Sequence, residues 1–323
     1  MKKIFSILLF SLSFHLVQAQ SFANYPEKNI TIIVGFPPGT ATDTIARILA
    51  ERFSNKLVKS FIIENKPGQG GSLGAGIAAQ AIPDGHTLLL SATAPFATNP
   101  HLYAKLNYDS RKSFAPIGLV SWLPYVMVTN PKSGLNSMQD LIEKSKVEPN
   151  KYTFASIGNG STSHLMMSML TSQAEIKMTH IPYKGSSQSQ TDLIGGQVDV
   201  TFDTVLTLMP HIKSGKLKAL ATGGLTRTSF APDVPTVDEL GLKGFNGGAW
   251  LGLFSPAGTP RPIVDRLHKE LNAALEDPEI VKRMLGIGSE VLMSKNPSEF
   301  EEFIKVEYQK WGQRVKESGA KIE

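Results

Sequence analysis

Several strand-to-helix connections in this chain are rich in glycine, serine and threonine, the residue types that let backbone amides and hydroxyls come close to a ligand. The first is Gly35-Phe36-Pro37-Pro38-Gly39-Thr40-Ala41-Thr42-Asp43, and the second is Ser156-Ile157-Gly158-Asn159-Gly160-Ser161-Thr162-Ser163-His164. A third is Tyr183-Lys184-Gly185-Ser186-Ser187, and a fourth begins at Phe202-Asp203-Thr204. In an open α/β sheet such loops gather at the carboxyl ends of the strands, where ligands bind. A helix start there offers unpaired N–H groups and the positive end of the dipole, which suits a carboxylate or a phosphate. The same residues also read as ordinary N-caps, with Thr40, Thr42, Asp43 and Ser161 satisfying the first amides of their helices. Both readings stay open at this point.

Motifs for catalysis are weaker. Gly70-Gly71-Ser72-Leu73-Gly74 matches a nucleophile elbow, which would make Ser72 the nucleophile of an exported hydrolase. An elbow needs a sharp turn directly off a strand, and here Asn65-Lys66-Pro67-Gly68-Gln69 intervenes. Gly74-Ala75-Gly76-Ile77-Ala78-Ala79 resembles a dinucleotide fingerprint, but it falls inside a helix pattern and lacks the acidic residue after a following strand. No P-loop is present. The seven histidines never stand at metal-ligand spacing with carboxylates, and His164 has no nearby carboxylate partner that would make it a base. No catalytic residue, metal or cofactor is therefore expected.

The elements that must position these loops alternate along the chain, which argues for an α/β fold. Short β-branched runs predict strands at 30–34, 60–64, 87–91, 125–129, 152–156, 177–181, 198–202, 217–222 and 250–254. Apolar stripes at helical spacing predict helices through Ile45, Ile48, Leu49, Phe53 and Leu57, and through Leu165, Met166, Met169 and Leu170. Two more run from Pro262 through Ile263, Leu267, Leu271 and Leu275, and from Pro297 through Phe300, Phe303, Ile304, Tyr308 and Trp311. The methionine stripe reads as core. The runs from Phe114 to Pro131 and from Val234 to Pro260, broken by Pro and Gly, look like crossings between domains. They divide the chain into a discontinuous first domain, 20–122 plus 236–323, and an inserted second domain, 123–235.

Composition narrows the function classes. The chain has 323 residues, 41% hydrophobic, enough for a sizeable core, and 33 Lys and Arg against 28 Asp and Glu. No dense basic tract occurs, so nucleic acid is not an expected partner. The absence of cysteine excludes thiolate metal sites, a Cys nucleophile and disulfides. Residues 1–19 have a signal-peptide layout: Lys2 and Lys3, an apolar stretch from Ile4 to Val17, and Val17-Gln18-Ala19 before the cut. Export is the expectation, leaving a mature protein with a net charge near +3.

The whole mature chain also resembles a known family, the solute-binding proteins of tripartite tricarboxylate transporters (TctC-like or Bug). The resemblance rests on Tyr25-Pro26, Phe36-Pro37-Pro38-Gly39 with Asp43, Glu64-Asn65-Lys66-Pro67-Gly68, Pro83-Asp84-Gly85-His86-Thr87-Leu88 and Asn99-Pro100-His101-Leu102-Tyr103. It continues through Ser156-x-Gly158-x-Gly160, Pro182-Tyr183-Lys184-Gly185, Gly195-Gly196-Gln197-Val198-Asp199, Phe202-Asp203 and Pro256-Ala257-Gly258-Thr259-Pro260. The resemblance implies a two-domain periplasmic binding protein of Venus-flytrap, type II-like form, each domain a mixed sheet flanked by helices. Such a protein closes on a small carboxylate, an amino acid, di- or tricarboxylate or aromatic acid, and delivers it as a monomer to membrane permease subunits.

Carried over, the ligand loops are Phe36, Pro38, Gly39, Thr40 and Asp43 in the first domain, and Ser156, Gly158, Asn159, Ser161 and Thr162 in the second. Tyr183 and Asp203 would line the second domain, and Thr93 and Phe96 a first-domain loop facing the cleft. The chain departs from the family at Gly39-Thr40-Ala41, where Gly-Gly-Gly or Gly-Gly-Ser is usual, which brings two Cβ atoms into a loop meant to approach the ligand. A ligand-sensing role beside a membrane receptor is a further alternative that the same closed lobes would serve.

Overall fold

The β-branched runs do form strands, and they assort into two sheets. The computed structural model describes residues 24–318, and the expected signal peptide lies outside them. The chain begins β1 (Ile30–Val34), α1 (Ala41–Leu57), β2 (Phe61–Asn65), α2 (Ser72–Ala79), β3 (Thr87–Ala92), α3 (Asn99–Leu102) and β4 (Phe114–Leu123). It continues β5 (Tyr125–Thr129), α4 (Met138–Val147), β6 (Thr153–Ser156), α5 (Thr162–Gln173), β7 (Thr179–Pro182), α6 (Ser186–Ile194), β8 (Val200–Thr204), α7 (Val205–Lys213) and β9 (Lys218–Thr222). The last part is β10 (Ala249–Pro256), α8 (Arg261–Leu275), α9 (Pro278–Gly286), β11 (Glu290–Val291) and α10 (Pro297–Ser318).

The first sheet has the order β11-β4-β10-β3-β1-β2, and the second β7-β6-β8-β5-β9. Both are mixed. In the first, β1 runs parallel to β2 and β3, while β10 is antiparallel to β3 and β4. In the second, β6 runs parallel to β7 and β8, while β5 is antiparallel to β8 and β9. The α/β architecture of two mixed sheets flanked by helices is as expected.

All nine expected strands form within about two residues of their expected bounds. Two more, β4 and β11, were not expected. Pro116 and Pro124 made the stretch from Phe114 read as a crossing. Pro116 is accommodated where the β4–β10 register shifts, opposite Phe254, a place where a missing N–H does least damage to a ladder. The two residues of β11 are too few to show any periodicity.

Packing follows the stripes. Ile45, Ile48, Leu49 and Phe53 of α1 are buried, and the Phe53 ring meets Phe61 of β2 at 5.1 Å between centroids. Leu165, Met166, Met169 and Leu170 are all core, as the sequence suggests. Ile263, Leu267, Leu271 and Leu275 seat α8 on the first sheet. Glu307 of α10 is 5% exposed and accepts the indole N–H groups of both Trp250 (3.1 Å) and Trp311 (2.9 Å), with Lys310 on its other oxygen at 2.5 Å. That buried carboxylate is fully partnered, which is why it is tolerated.

Two stretches join the sheets: Pro124, between β4 and β5, and the return from β9 to β10. They are tied together where Gly223 N donates to Tyr125 O (3.0 Å) and Gly247 N to Gly223 O (2.6 Å). The end of α10 reaches the second lobe, where Ser172 Oγ of α5 donates to Glu317 O at 3.1 Å.

Candidate functional site

β1, β6 and β7 end on facing sides of a cavity of about 630 Å³ between the two sheets, a volume suited to a small organic ligand. Its first wall is Gly35, Phe36 and Pro37 after β1, the turn from Pro67 to Gly71, and Tyr103. Its second wall is Ile157, Gly158 and Asn159 after β6, and Pro182, Tyr183 and Lys184 after β7. Of these side chains only Lys184 carries a charge; it is exposed, and no ion pair holds it among the described residues. α1 and α5 start just past the two loops, so the positive ends of two helix dipoles lie at the cavity.

The first loop is shaped from behind. Asp43, 3% exposed, accepts from Gly39 N (3.0 Å), from Arg47 Nε (3.0 Å) and Nη2 (2.8 Å), and from Asn65 Nδ2 (2.9 Å). Burial pushes its carboxyl up, but the bonds from Arg47, Asn65 and Gly39 outweigh that and hold it below the usual carboxylate range. Asn65 Nδ2 also donates to Phe36 O at 2.9 Å. Asp43 thus clamps the loop and has no free acceptor to offer a ligand. Thr40 occupies the N-cap position without capping through its side chain; its hydroxyl donates to Pro37 O at 2.9 Å. Thr40 and Ala41 are both buried, so the departure from the family pattern is taken up inside the first lobe. Pro38 and Gly39 are exposed beside the cavity and do not line it.

The second loop needs its glycines. Gly158 has φ +119° and Gly160 φ +76°, a region that L side chains rarely adopt. Ser161 caps α5, its Oγ accepting from His164 N at 3.3 Å, so the N-cap reading holds for this residue. Ser156 is fully buried, 2.7 Å from His180 Nε2, and accepts from Gly158 N at 3.2 Å. Thr162 is buried and bonded to the Tyr125 hydroxyl. The Tyr183 ring lines the cavity while its hydroxyl donates to Asp192 at 2.8 Å; burial, and then Asp192, push the phenol up to about 12.

Three further sequence-expected ligand contacts also fall outside the cavity lining. Thr93 is fully buried, its hydroxyl accepting from Trp250 N at 2.8 Å. Phe96 is fully buried and stacked on Phe254 at 3.9 Å. Both follow from the wide helical turn at Ala94–Thr98, which enters the apolar core instead of the cleft. Asp203, 1% exposed, is pushed up by burial and is satisfied by Thr204 N (2.7 Å), Gln190 (3.2 Å) and the Ser186 and Thr207 hydroxyls. It fixes the starts of α6 and α7 behind the cavity wall.

Ser72 is no nucleophile. Its hydroxyl is buried and accepts from Asn99 Nδ2 (2.8 Å) and Tyr108 OH (2.9 Å), with no histidine in contact. What sequence reasoning missed is the Pro67–Gly71 turn and Tyr103. The run Gly68-Gln69-Gly70-Gly71 is the available signal; it belongs to the elbow match and to the family pattern, and neither reading makes it a ligand loop. No group of three His, Asp or Glu that could hold a metal occurs among the described residues, and no helix there is long and apolar enough to cross a membrane.

The two walls touch. Tyr103 OH donates to Asn159 O at 3.0 Å, and a Cβ on Gly185 would lie 3.0 Å from Pro37 Cγ. The lobes are therefore in direct contact at the rim of the cavity.

Comparison with known proteins agrees with this geometry. Residues 45–320 match the family model described as "Tripartite tricarboxylate transporter family receptor". The chain is similar to the periplasmic binding protein BugD, with a TM-score of 0.88 and 38% identity over 93% of this chain and 100% of that one. It is similar to an R. palustris protein solved with adipate, with a TM-score of 0.87 and 28% identity over 91% and 98% of the two chains. It is also similar to MatC from Rhodopseudomonas palustris with bound malate, with a TM-score of 0.86 and 31% identity over 90% and 100%.

Proposed function

The chain belongs to the tripartite tricarboxylate transporter receptor family, a family of periplasmic binding proteins and not of enzymes, and from that premise we propose how it works. It captures a small carboxylate between its two lobes and presents it, unchanged, to the membrane subunits of a tripartite permease. The observation that carries this reading is the 630 Å³ cavity lined by one glycine-rich loop from each lobe, with a helix start behind each. Two helix termini contribute about 0.3–2 kcal/mol each to holding an anion. With charge-assisted hydrogen bonds and an enclosed carbon skeleton, the sum reaches the ~8 kcal/mol of micromolar binding. Relatives solved with malate and with adipate support a carboxylate as ligand.

The ligand-contacting set is Phe36, Gly158, Asn159 and Tyr183, joined by the Pro67–Gly71 turn, Tyr103 and Lys184. Asp43, Ser156, Ser161 and Asp203 shape the loops from behind. The first lobe comprises 20–122 plus 236–323 and the second 123–235; the assignment of β4 and β5 to different sheets supports the first boundary. The protein is exported and acts as a monomer, which N-terminal sequencing and light scattering check.

A thermal-shift screen of mono-, di- and tricarboxylates tests the function, together with mass spectrometry of whatever co-purifies. A ligand at about 100 times its Kd adds ~2.7 kcal/mol to stability, a readable shift. No shift with any acid, or conversion of one to product, overturns the proposal.

A further inference from the structure

Behind the second loop two imidazoles are stacked face to face, and nothing in carboxylate capture as described above uses them. Parallel pairing of β6 with β7 sets Phe154 opposite His180, and their rings lie 4.7 Å apart at 14°. His164, in the first turn of α5, stacks on His180 at 4.2 Å and 13° and lies 6.5 Å from Phe154. The cluster is tied to the loop at both histidines. Gly160 N donates to His164 Nδ1 at 3.3 Å, so that nitrogen is unprotonated and the His164 proton sits on Nε2. His180 Nε2 lies 2.7 Å from Ser156 Oγ, which accepts from Gly158 N at 3.2 Å. Every glycine amide of this loop that is bonded inward is thus held, directly or through Ser156, by a neutral imidazole.

We propose that His164 and His180 are positioning residues for carboxylate capture: an uncharged stacked pair that locks the Gly158–Gly160 backbone in the conformation that receives the ligand. The inference rests on the binding function proposed above. Protonating His164 removes the acceptor for Gly160 N, and two face-to-face imidazolium rings repel. The elements packed on the pair carry Asp199 before β8, Asp203 within β8, Asp192 on α6, Tyr183 and Lys184 past β7, and Tyr103 across the cleft. Burial holds His164 down at about 4, and burial, then His164, hold His180 at about 3. With both values below the usual 6.5, the stabilisation is complete above that value and is lost as pH falls through about 4 and then about 3.

Nitrogen-15 spectra of the imidazoles in the ligand-free full chain test the pair without any ligand. Both rings are expected neutral at pH 6, with the His164 proton on Nε2. A charged ring at pH 6, or an Nδ1-protonated His164, overturns the inference. Calorimetry with malate and adipate supplies the second test. His164→Asn keeps an acceptor near the Nδ1 position and is expected within threefold of the wild-type affinity at pH 7.5. His164→Leu keeps bulk without an acceptor and is expected to lose tenfold or more while circular dichroism stays native. Equal binding by the two variants also overturns it. If neither acid binds the wild type, the affinity comparison is made with the acid that the thermal-shift screen identifies; if that screen finds none, the proposed function fails while the spectra still decide the pair.

Discussion

Gly70 of the first lobe and Gly160 of the second meet backbone to backbone: a Cβ on Gly70 would stand 2.6 Å from the Gly160 carbonyl carbon and 2.8 Å from Ser161 N. At this point the lobes come together with no side chain between them. A ligand can shift such an equilibrium only by its differential affinity for the closed form. Gly70→Ala, at φ +58°, is therefore expected to add ~1–2 kcal/mol of backbone strain and to hold the lobes apart. Calorimetry should read at least a tenfold loss of affinity, and small-angle scattering a larger radius of gyration in the presence of ligand.

Removing the Asp43 clamp should have a pH signature. Its carboxyl titrates below the usual range when folded, so its contribution is present above the unfolded value near 3.9 and is lost as pH falls through the lower folded value. Asp43→Asn should cost about 1–3 kcal/mol at pH 7, because Arg47 and Gly39 N lose a charged acceptor. Denaturation monitored from pH 7 down to pH 2 should show the gap between variant and wild type narrowing at the acid end.

Lys184 should discriminate among acids. As the one charged side chain lining the cavity among the described residues, it can meet a second carboxylate but has nothing to add for a first one that the loops would hold. Lys184→Met is expected to weaken dicarboxylates about tenfold, ~1.4 kcal/mol, and monocarboxylates hardly at all. A thermal-shift series of matched mono- and diacids reads the difference.

Ser72→Ala should leave ligand affinity unchanged. It removes one acceptor of Asn99 Nδ2, which keeps Gln69 O at 3.0 Å, and one of Tyr108 OH, which keeps Pro95 O at 2.7 Å, so the cost in chemical denaturation is about 0.5–1.5 kcal/mol. A fluorophosphonate probe should not label the wild-type serine. Stoichiometric labelling would restore the hydrolase reading.

The sequence made the scaffold legible because periodicity is a local property. The run Ile-Thr-Ile-Ile-Val of β1 and the stripe from Ile45 to Phe53 declare themselves within one element. The two glycine-rich loops that line the cavity were legible for the same reason, as glycine placed just where strands end. Less was legible where the deciding contact is distant in sequence. Thr93 and Phe96 looked like cleft residues until Trp250 and Phe254, more than 150 residues away, took them into the core. Asp43 and Asp203 have the right chemistry for a site, but only their partners reveal that both face inward. His180 gave no local signal at all, since its meaning depends on the strand beside it and the helix across from it.

The terminal helix limits what sort of motion the molecule can make. Because Glu307 anchors it to Trp250 on one side and its far end is bonded to Ser172 on the other, the last turns act as a brace spanning the hinge. A brace placed beside two polypeptide connections opposes shear and twist between the lobes, so any opening should run as rotation about one axis. Scattering curves recorded with different acids should then converge on one closed outline.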